Sequence, residues 1–417
     1  IPVGAGVRAL GMGNAFTAIA DDATAATWNP AGMTILERPE LSFSLGYYRQ
    51  DVSATGRDGG SDGFDLDHVS GVLPFHVFGF QQTVALAWQR EFDFNSATSF
   101  ASQQTIGSII TDSSVESETT GALSSWGLSY GIAVSSVLSF GVTAKVWDDE
   151  LTGNSTHHTD YSQQQVTDNS GLVRITRDST VGRDTSVAEG YSFVIGAMWQ
   201  PAAQWTLAGV FKPGFDLRQH EDLAETTSVL VESSFGGPSL TEAIDSGTAS
   251  STFAYPDSLA VAVAWRPSDL DTLALDVVWT AWSQFAVERD GERSSPLGGG
   301  VAPESFDDDY ALRLGYERLF ILPRWVLVGR AGISYERLPG LEPLSDLDSA
   351  TVEEIAAGTD EWWGLSCGVS AIRRRYGYDL GLQVRRGSDV GTNVQTSAAD
   401  AADVTTLTVR GGVSFLF

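Results

Sequence analysis

LTVRGGVSFLF, residues 407–417, alternates with a period of two. Leu407, Val409, Gly411, Val413, Phe415 and Phe417 fall on one face. Thr406, Thr408, Arg410, Gly412 and Ser414 fall on the other, with Leu416 the exception. That period belongs to a β-strand, in which successive side chains point to opposite sides. Residues 137–150 repeat it, with Leu138, Phe140, Val142, Ala144 and Val146 opposing Ser139, Gly141, Thr143 and Lys145. So do residues 270–284, where Leu273, Leu275, Val277 and Trp279 oppose Asp276, Thr280, Trp282 and Gln284.

Extended outward from Leu41, the pattern predicts fourteen strands, the first near 41–52 and the last at 404–417. Their connections alternate. One set is short: HVFGF, AVSS, QPAA, PSD, FILP and a turn at Arg374. The other set is long, at about 53–65, 94–118, 151–185, 219–249, 285–305, 338–359 and 388–403. A soluble sandwich has no reason to gather every long link at one end. A barrel crossing the outer membrane does, with tight periplasmic turns and long outer loops. Lipid offers backbone amides no partner, so such a sheet must close, with its apolar face outward and its polar face inward. Tyr47, Tyr48, Trp88, Trp126, Trp147, Trp199, Trp205, Trp265, Trp279, Trp325, Trp362 and Trp363 lie near predicted strand ends and fit aromatic girdles.

Composition closes other routes. The 417 residues carry 53 acids against 25 bases, a formal charge of −28, which excludes binding to a nucleic-acid backbone. No run of about 18 apolar residues is available for a membrane helix. Cys367 is the only cysteine, so there is no disulfide framework and no multi-cysteine zinc site. His68, His76, His157, His158 and His220 are few for a metalloenzyme, and neither a metal nor a cofactor is expected. The chain begins at Ile1 without Met or a charged n-region and reads as a mature exported form or a trimmed one.

Residues 1–39 break the period. Gly4, Gly6, Gly11, Gly13 and Gly32 punctuate a small-residue stretch that predicts short helices and turns. Within it, AIADDATAATWNPAG followed by ERPELSF resembles the FadL family of outer-membrane transporters for long-chain fatty acids and other hydrophobic compounds. The matching residues are Ala18–Ala23, Asn29, Pro30, Ala31, Arg38 and Pro39. YPDSLAVAVAWRP, LALDVVWTAWSQF, DDDYALRLGYERLF and RWVLVGRAGISYERLP are similar to the family's later strands. The resemblance implies a fourteen-stranded antiparallel barrel over 40–417, with residues 1–39 as a hatch plugging the lumen. It also implies passive uptake through a lumenal pocket, with a lateral opening near the third strand. The GAGVRALGMG opening and the acidic long links depart from the family's pattern, so the cargo stays open.

Candidate residues follow from both readings. Asn29, Pro30 and Ala31 form the hatch's NPA turn, either a rigid anchor or a gate. By parity, Lys145, Lys212, Arg313, Arg330, Arg385 and Arg410 point inward, as do Asp276, Glu317, Glu336 and Asp379. A lumenal cation would orient a carboxylate. An apolar tail of ten methylenes would supply about 8 kcal/mol of affinity. The alternative is that these charges pair with one another or with the hatch. Hydrophobic small molecules are therefore the expected ligands. Membrane lipid, lipopolysaccharide and the barrel-assembly machinery, through the terminal Phe417, are the expected surroundings. A second reading makes the acidic outer links, with Asp148, Asp149, Glu150 and Asp307–Asp309 in or beside them, a dock for a protein partner, and the chain a scaffold for secretion or surface assembly.

Other signals are weaker. The opening glycines lack the dinucleotide pattern and follow no strand. Residues 58–67, DGGSDGFDLD, miss calcium-loop spacing and read as a solvated loop. His157–His158 has no third ligand nearby in sequence, Cys367 reads as a small lipid-facing residue, and no nucleophile elbow or other ordered catalytic signature occurs.

Overall fold

A computed structural model describes residues 3–54, 57–107, 109–168, 173–233, 236–296, 302–343, 355–391 and 401–417. Twenty strands form one antiparallel sheet: β1 Glu40–Ala54, β2 Arg57–Val77, β3 Phe80–Asp93, β4 Ser96–Ile106, β5 Ile109–Ala133, β6 Leu138–Trp147, β7 Ser155–Asp168, β8 Val173–Ala202, β9 Trp205–Lys212, β10 Phe215–Ser233, β11 Gly236–Tyr255, β12 Ser258–Ser268, β13 Asp271–Thr280, β14 Ala286–Arg289, β15 Glu292–Ser294, β16 Asp309–Ile321, β17 Val326–Pro343, β18 Ile355–Arg373, β19 Tyr376–Gly391 and β20 Ala401–Leu416. β20 pairs with β1, and the sheet closes.

Among the described residues the sheet holds twenty strands where fourteen were expected; β4, β7, β10, β11, β14 and β15 extend it beyond the closed ring β1–β2–β3–β5–β6–β8–β9–β12–β13–β16–β17–β18–β19–β20. Links read as loops are strands. β4, β7 and the N-terminal halves of β5 and β8 occupy 96–106, 155–168 and their partners, and β10 pairs with β11 across 215–255. DGGSDGFDLD, expected as a loop, belongs to β2 and pairs with β1. These segments are Ser-, Thr- and Gln-rich and stand beyond the membrane. Both of their faces are wet, so their alternation carries no hydrophobic signature. Parts of other expected long links, 344–354 and 392–400 among them, lie outside the described residues.

Sidedness is inverted relative to a soluble protein. Leu86, Leu128, Phe193, Val261, Leu314, Leu365, Val369, Leu380 and Val413 point outward and are exposed. Thr83, Ser129, Thr143, Ser192, Ser334, Ser370, Gln383 and Thr408 point inward and are buried. Tight turns of two or four residues close the short end. Phe78 and Gly79, with φ of 55° and 83°, make the left-handed pair that matches strand twist. The Trp205–Trp265 stack and the tilted Tyr335–Trp363 pair, with ring centroids 5.9 and 4.8 Å apart, mark the two girdles on the outer face. Tyr48, Trp147 and Trp362, expected in a girdle, face the lumen instead. Tyr48 and Trp147 are buried, and Trp362 lies beneath the Arg385 guanidinium. Cys367 is exposed on the outer face.

Described residues before β1 pack against the inner wall of the barrel. They form α1 (Val7–Gly11), α2 (Ala25–Trp28) and a 3-10 turn over Pro30–Ile35. Ala9, Met12, Phe16, Ile19, Ala23 and Met33 make the apolar centre of the molecule, packed against small wall residues such as Ala85, Ala87 and Ala262. An apolar cluster is thus packed at the centre of a cylinder whose outer face is apolar.

Candidate functional site

The N-terminal segment is seated on two sides. On the first, Pro30 forces Asn29 into an extended backbone, φ −151° and ψ 99°. That conformation frees the Asn29 amide: Oδ1 accepts from the Ala31 N–H at 3.1 Å, and Nδ2 donates to the Thr17 carbonyl at 2.9 Å. The side chain is fully buried. The wall beneath is a row of glycines, Gly131 of β5 opposite Gly141 of β6, itself opposite Gly196 of β8. A Cβ on any of them would run into Asn29 or Pro30, so glycine is what lets the turn lie against the barrel. Wall hydroxyls then satisfy the carbonyls that short helices leave open. Thr143 donates to Ala26 at 2.6 Å, Ser139 to Ala31 at 3.1 Å and Thr83 to Met33 at 3.2 Å.

On the opposite side, α1 and the following turn rest on Gly315 paired with Gly332 and on Gly368 paired with Gly381. Asp276 of β13 is fully buried, and its Oδ2 accepts the Phe16 and Thr17 N–H groups at 3.0 and 2.9 Å. Arg8 makes a two-pronged bond to Glu317, at 2.9 and 3.0 Å, and also reaches Asp21. Burial pulls the Arg8 pKa down, but Asp21 and Glu317 outweigh it and hold Arg8 well above its ordinary value.

The structure separates the six inward cations. Lys145 is bound to Glu91. Arg313 and Arg385 share Glu336, at 2.9 and 2.5 Å. Arg330 bonds Glu317 at 2.7 Å and also contacts Ser370 and, at 3.5 Å, Asp379. Arg410 donates to Asp67 at 2.6 Å, Tyr48 at 2.9 Å and the Gly6 carbonyl at 3.1 Å. Lys212 differs: it is exposed to the lumen, and among the described residues no acid stands within ion-pair distance. Arg410→Leu would strand the buried Asp67 carboxylate, an uncompensated charge costing about 3–5 kcal/mol. The expected result is a lower temperature for the heat-induced shift in gel mobility, with Asp67→Asn combined with it recovering most of the loss.

Above the N-terminal segment lies a cavity of about 320 Å³. Val3, Trp28 and Leu10 form its floor, and Phe92, Val278, Trp282 and Tyr310 line its sides. Lys212 and the Arg313–Glu336–Arg385 bridge add polar points on its wall. Phe92 and Trp282 join it to a run of lumenal aromatics at the outer end. Phe92 lies 6.0 Å from Tyr255, Tyr255 stacks on Phe215 at 4.9 Å, and Phe215 stacks on Trp147 at 5.7 Å. Leu123 and Leu217 complete this cluster. Sequence reasoning missed it because its members come from five strands. A repeated aromatic at inward parity near strand ends was the only signal.

Two β-bulges shape this side. Ser44 faces His68 and Leu45 faces Leu66, so Asp67 is an extra residue and both Asp67 and His68 turn inward. In β3, Arg90 faces Ser124 and Phe92 faces Leu123, so Glu91 is extra; Glu91 reaches Lys145 and Phe92 reaches the cavity. The third strand contains neither Pro nor Gly and bends by this means instead. His157 and His158 bond Asp184 and Asp160 within the outer sheet, and no metal-binding cluster occurs among the described residues.

The model of the outer membrane protein transport protein family (OMPP1/FadL/TodX) matches residues 5–342. The chain belongs to that family. It is a β-barrel of the outer membrane. Among solved structures, this family member is similar to the Ralstonia pickettii toluene transporter TbuX, at 14% identity and a TM-score of 0.57 over 99% of this chain and 98% of that one. It is also similar to the Pseudomonas putida toluene transporter TodX, at 12% identity and 0.58 over 100% and 98%. A Pseudomonas aeruginosa FadL homologue gives 12% identity and 0.56 over 100% and 99%. At these identities the likeness speaks to the fold alone. Among curated proteins, none matches this sequence.

Proposed function

We propose that this barrel takes up small uncharged hydrophobic molecules across the outer membrane, with residues 1–39 acting as its hatch. The observation carrying the reading is the aromatic run from Trp147 to Phe92, which leads from the acidic outer end into the cavity on the hatch. A hydrocarbon leaving the polar surface layer finds successive apolar faces, each removing more of its area from water. Charge supports an uncharged cargo. Five of the six lumenal cations are already bonded, and acids crowd the entrance. No nucleotide site is needed, since transfer between such sites runs downhill. Release would follow a shift of the Asn29–Pro30–Ala31 turn or a parting of the wall near the β3 bulge.

Uptake of radiolabelled toluene and oleate by cells lacking their own transporter tests this. Toluene uptake is expected to rise with the intact chain, to fall several-fold in Phe215→Ala, and to stay within about twofold in Lys212→Met. A chain that carries oleate instead, and loses it in Lys212→Met, contradicts the uncharged-cargo reading. Asn29→Ala removes three hydrogen bonds that hold the turn and is expected to impair toluene uptake while the protein still inserts. Equal uptake by that variant would leave Asn29 an anchor and nothing more.

A further inference from the structure

The outer face of the barrel carries a groove of about 490 Å³ at the short-turn end of β16–β19. Its floor is Gly329, and its walls are Phe320, Leu327, Val369, Tyr378 and Leu380. The nearest neighbour of a Gly329 side chain would be the Phe320 ring, at 3.6 Å, so the groove exists because residue 329 has no side chain. The side chains of Phe320, Leu327, Val369, Tyr378 and Leu380 point outward into the acyl region.

At the foot of the groove stand Arg324, Arg373, Arg374 and Arg375, on two adjacent turns and all exposed. The turns adjoin because Val326 pairs with Ile372. The Arg373 guanidinium lies over Trp325 at 5.2 Å from the ring centroid, which fixes it at interfacial depth. Among the described residues none of these arginines has an acidic partner, in a chain whose formal charge is −28. Arg374 also holds a left-handed backbone, φ 56°, where glycine would sit without strain. Acids gather at the other end, with Asp148, Asp149 and Glu150 among them.

We propose that this groove and these arginines bind one anionic phospholipid of the periplasmic leaflet. The phosphate sits among Arg324, Arg373 and Arg374, and an acyl chain lies over Gly329. The short-turn end of an outer-membrane barrel faces the periplasm, so the arginines stand at the headgroups of that leaflet. Guanidinium forks suit phosphate oxygens, and a groove of this width accepts one chain. The site is separate from the lumen and does not depend on the transport reading.

Native mass spectrometry of the full chain in detergent tests the proposal, with dioleoylphosphatidylglycerol, dioleoylphosphatidylcholine and inorganic phosphate as probes. One phosphatidylglycerol is expected to remain bound at concentrations where phosphatidylcholine is lost. The R373Q/R374Q/R375Q variant should lower that retention about tenfold, and Gly329→Leu should lower it for the long-chain lipid while a dihexanoyl analogue binds as weakly as before. Heat-modifiable gel mobility identifies folded protein. If Gly329→Leu does not fold, quenching of Trp325 by acyl-brominated phosphatidylglycerol in the intact chain, exceeding that by brominated phosphatidylcholine, replaces it. Equal retention of the two lipids, unchanged retention by the folded arginine variant, or displacement by inorganic phosphate at matched ionic strength would each overturn the proposal, the last by showing a bare anion site.

Discussion

Asp276→Ala is expected to release the N-terminal segment from the wall without opening the barrel. The carboxylate accepts two backbone N–H groups in a fully buried place, and the variant leaves both donors unpaired. Bonds to a charged group contribute about 1.5–3 kcal/mol each, so the loss is about 3–6 kcal/mol. It falls on one segment, since the strand pairs of β13 do not involve the Asp276 side chain. Hydrogen exchange at Phe16 and Thr17 should then quicken by at least about a hundredfold, because each 1.4 kcal/mol is a factor of ten. Asp276→Asn keeps an acceptor and should lie between. Exchange at those amides unchanged from the wild-type chain would show that the segment is held by packing alone.

Gly141→Val is expected to lift the turn itself. A Cβ at this position falls on the Pro30–Ala31 peptide, and the neighbours that would have to yield are backbone atoms. Overpacking of this kind costs about 1–3 kcal/mol, enough to raise the population of a displaced segment by about five- to 150-fold. The readout is permeability: entry of a hydrophilic reporter such as nitrocefin should rise by at least about fivefold over the wild-type chain, in step with that population. Gly209→Val serves as the control, because a side chain there would meet only the Ala260 carbonyl at 3.9 Å. Equal permeability of the two variants would remove the glycine row from the account of how the segment is seated.

What could be read in the chain was set by where hydrophobicity makes a difference. In 407–417 and 270–284 one face meets lipid and the other meets the lumen, so parity alone placed Arg410, Asp276 and Lys145 inside. In 155–168, STHHTDYSQQQVTD, both faces meet water, and a strand looks like a loop. A bulge shifts parity by one residue and leaves no compositional trace, so the joint inward turn of Asp67 and His68 was invisible. Tyr48, Trp147 and Trp362 were read as girdle residues by proximity to strand ends, although parity places each inward. The pairing of the lumenal cations was among the expected alternatives. Which acid meets which base depends on neighbours hundreds of residues apart, such as Arg410 and Asp67.

We propose a path for greasy molecules through a lumen that refuses water-soluble ones. Its most direct measurement is paired uptake in cells depleted of their own transporters, following radiolabelled toluene and a hydrophilic sugar at once, with and without the chain. The account predicts saturable toluene entry several-fold above the background and no change in the sugar. Entry of both solutes in proportion to the amount of chain would mean an open pore, and entry of neither would mean a barrel that does not carry cargo.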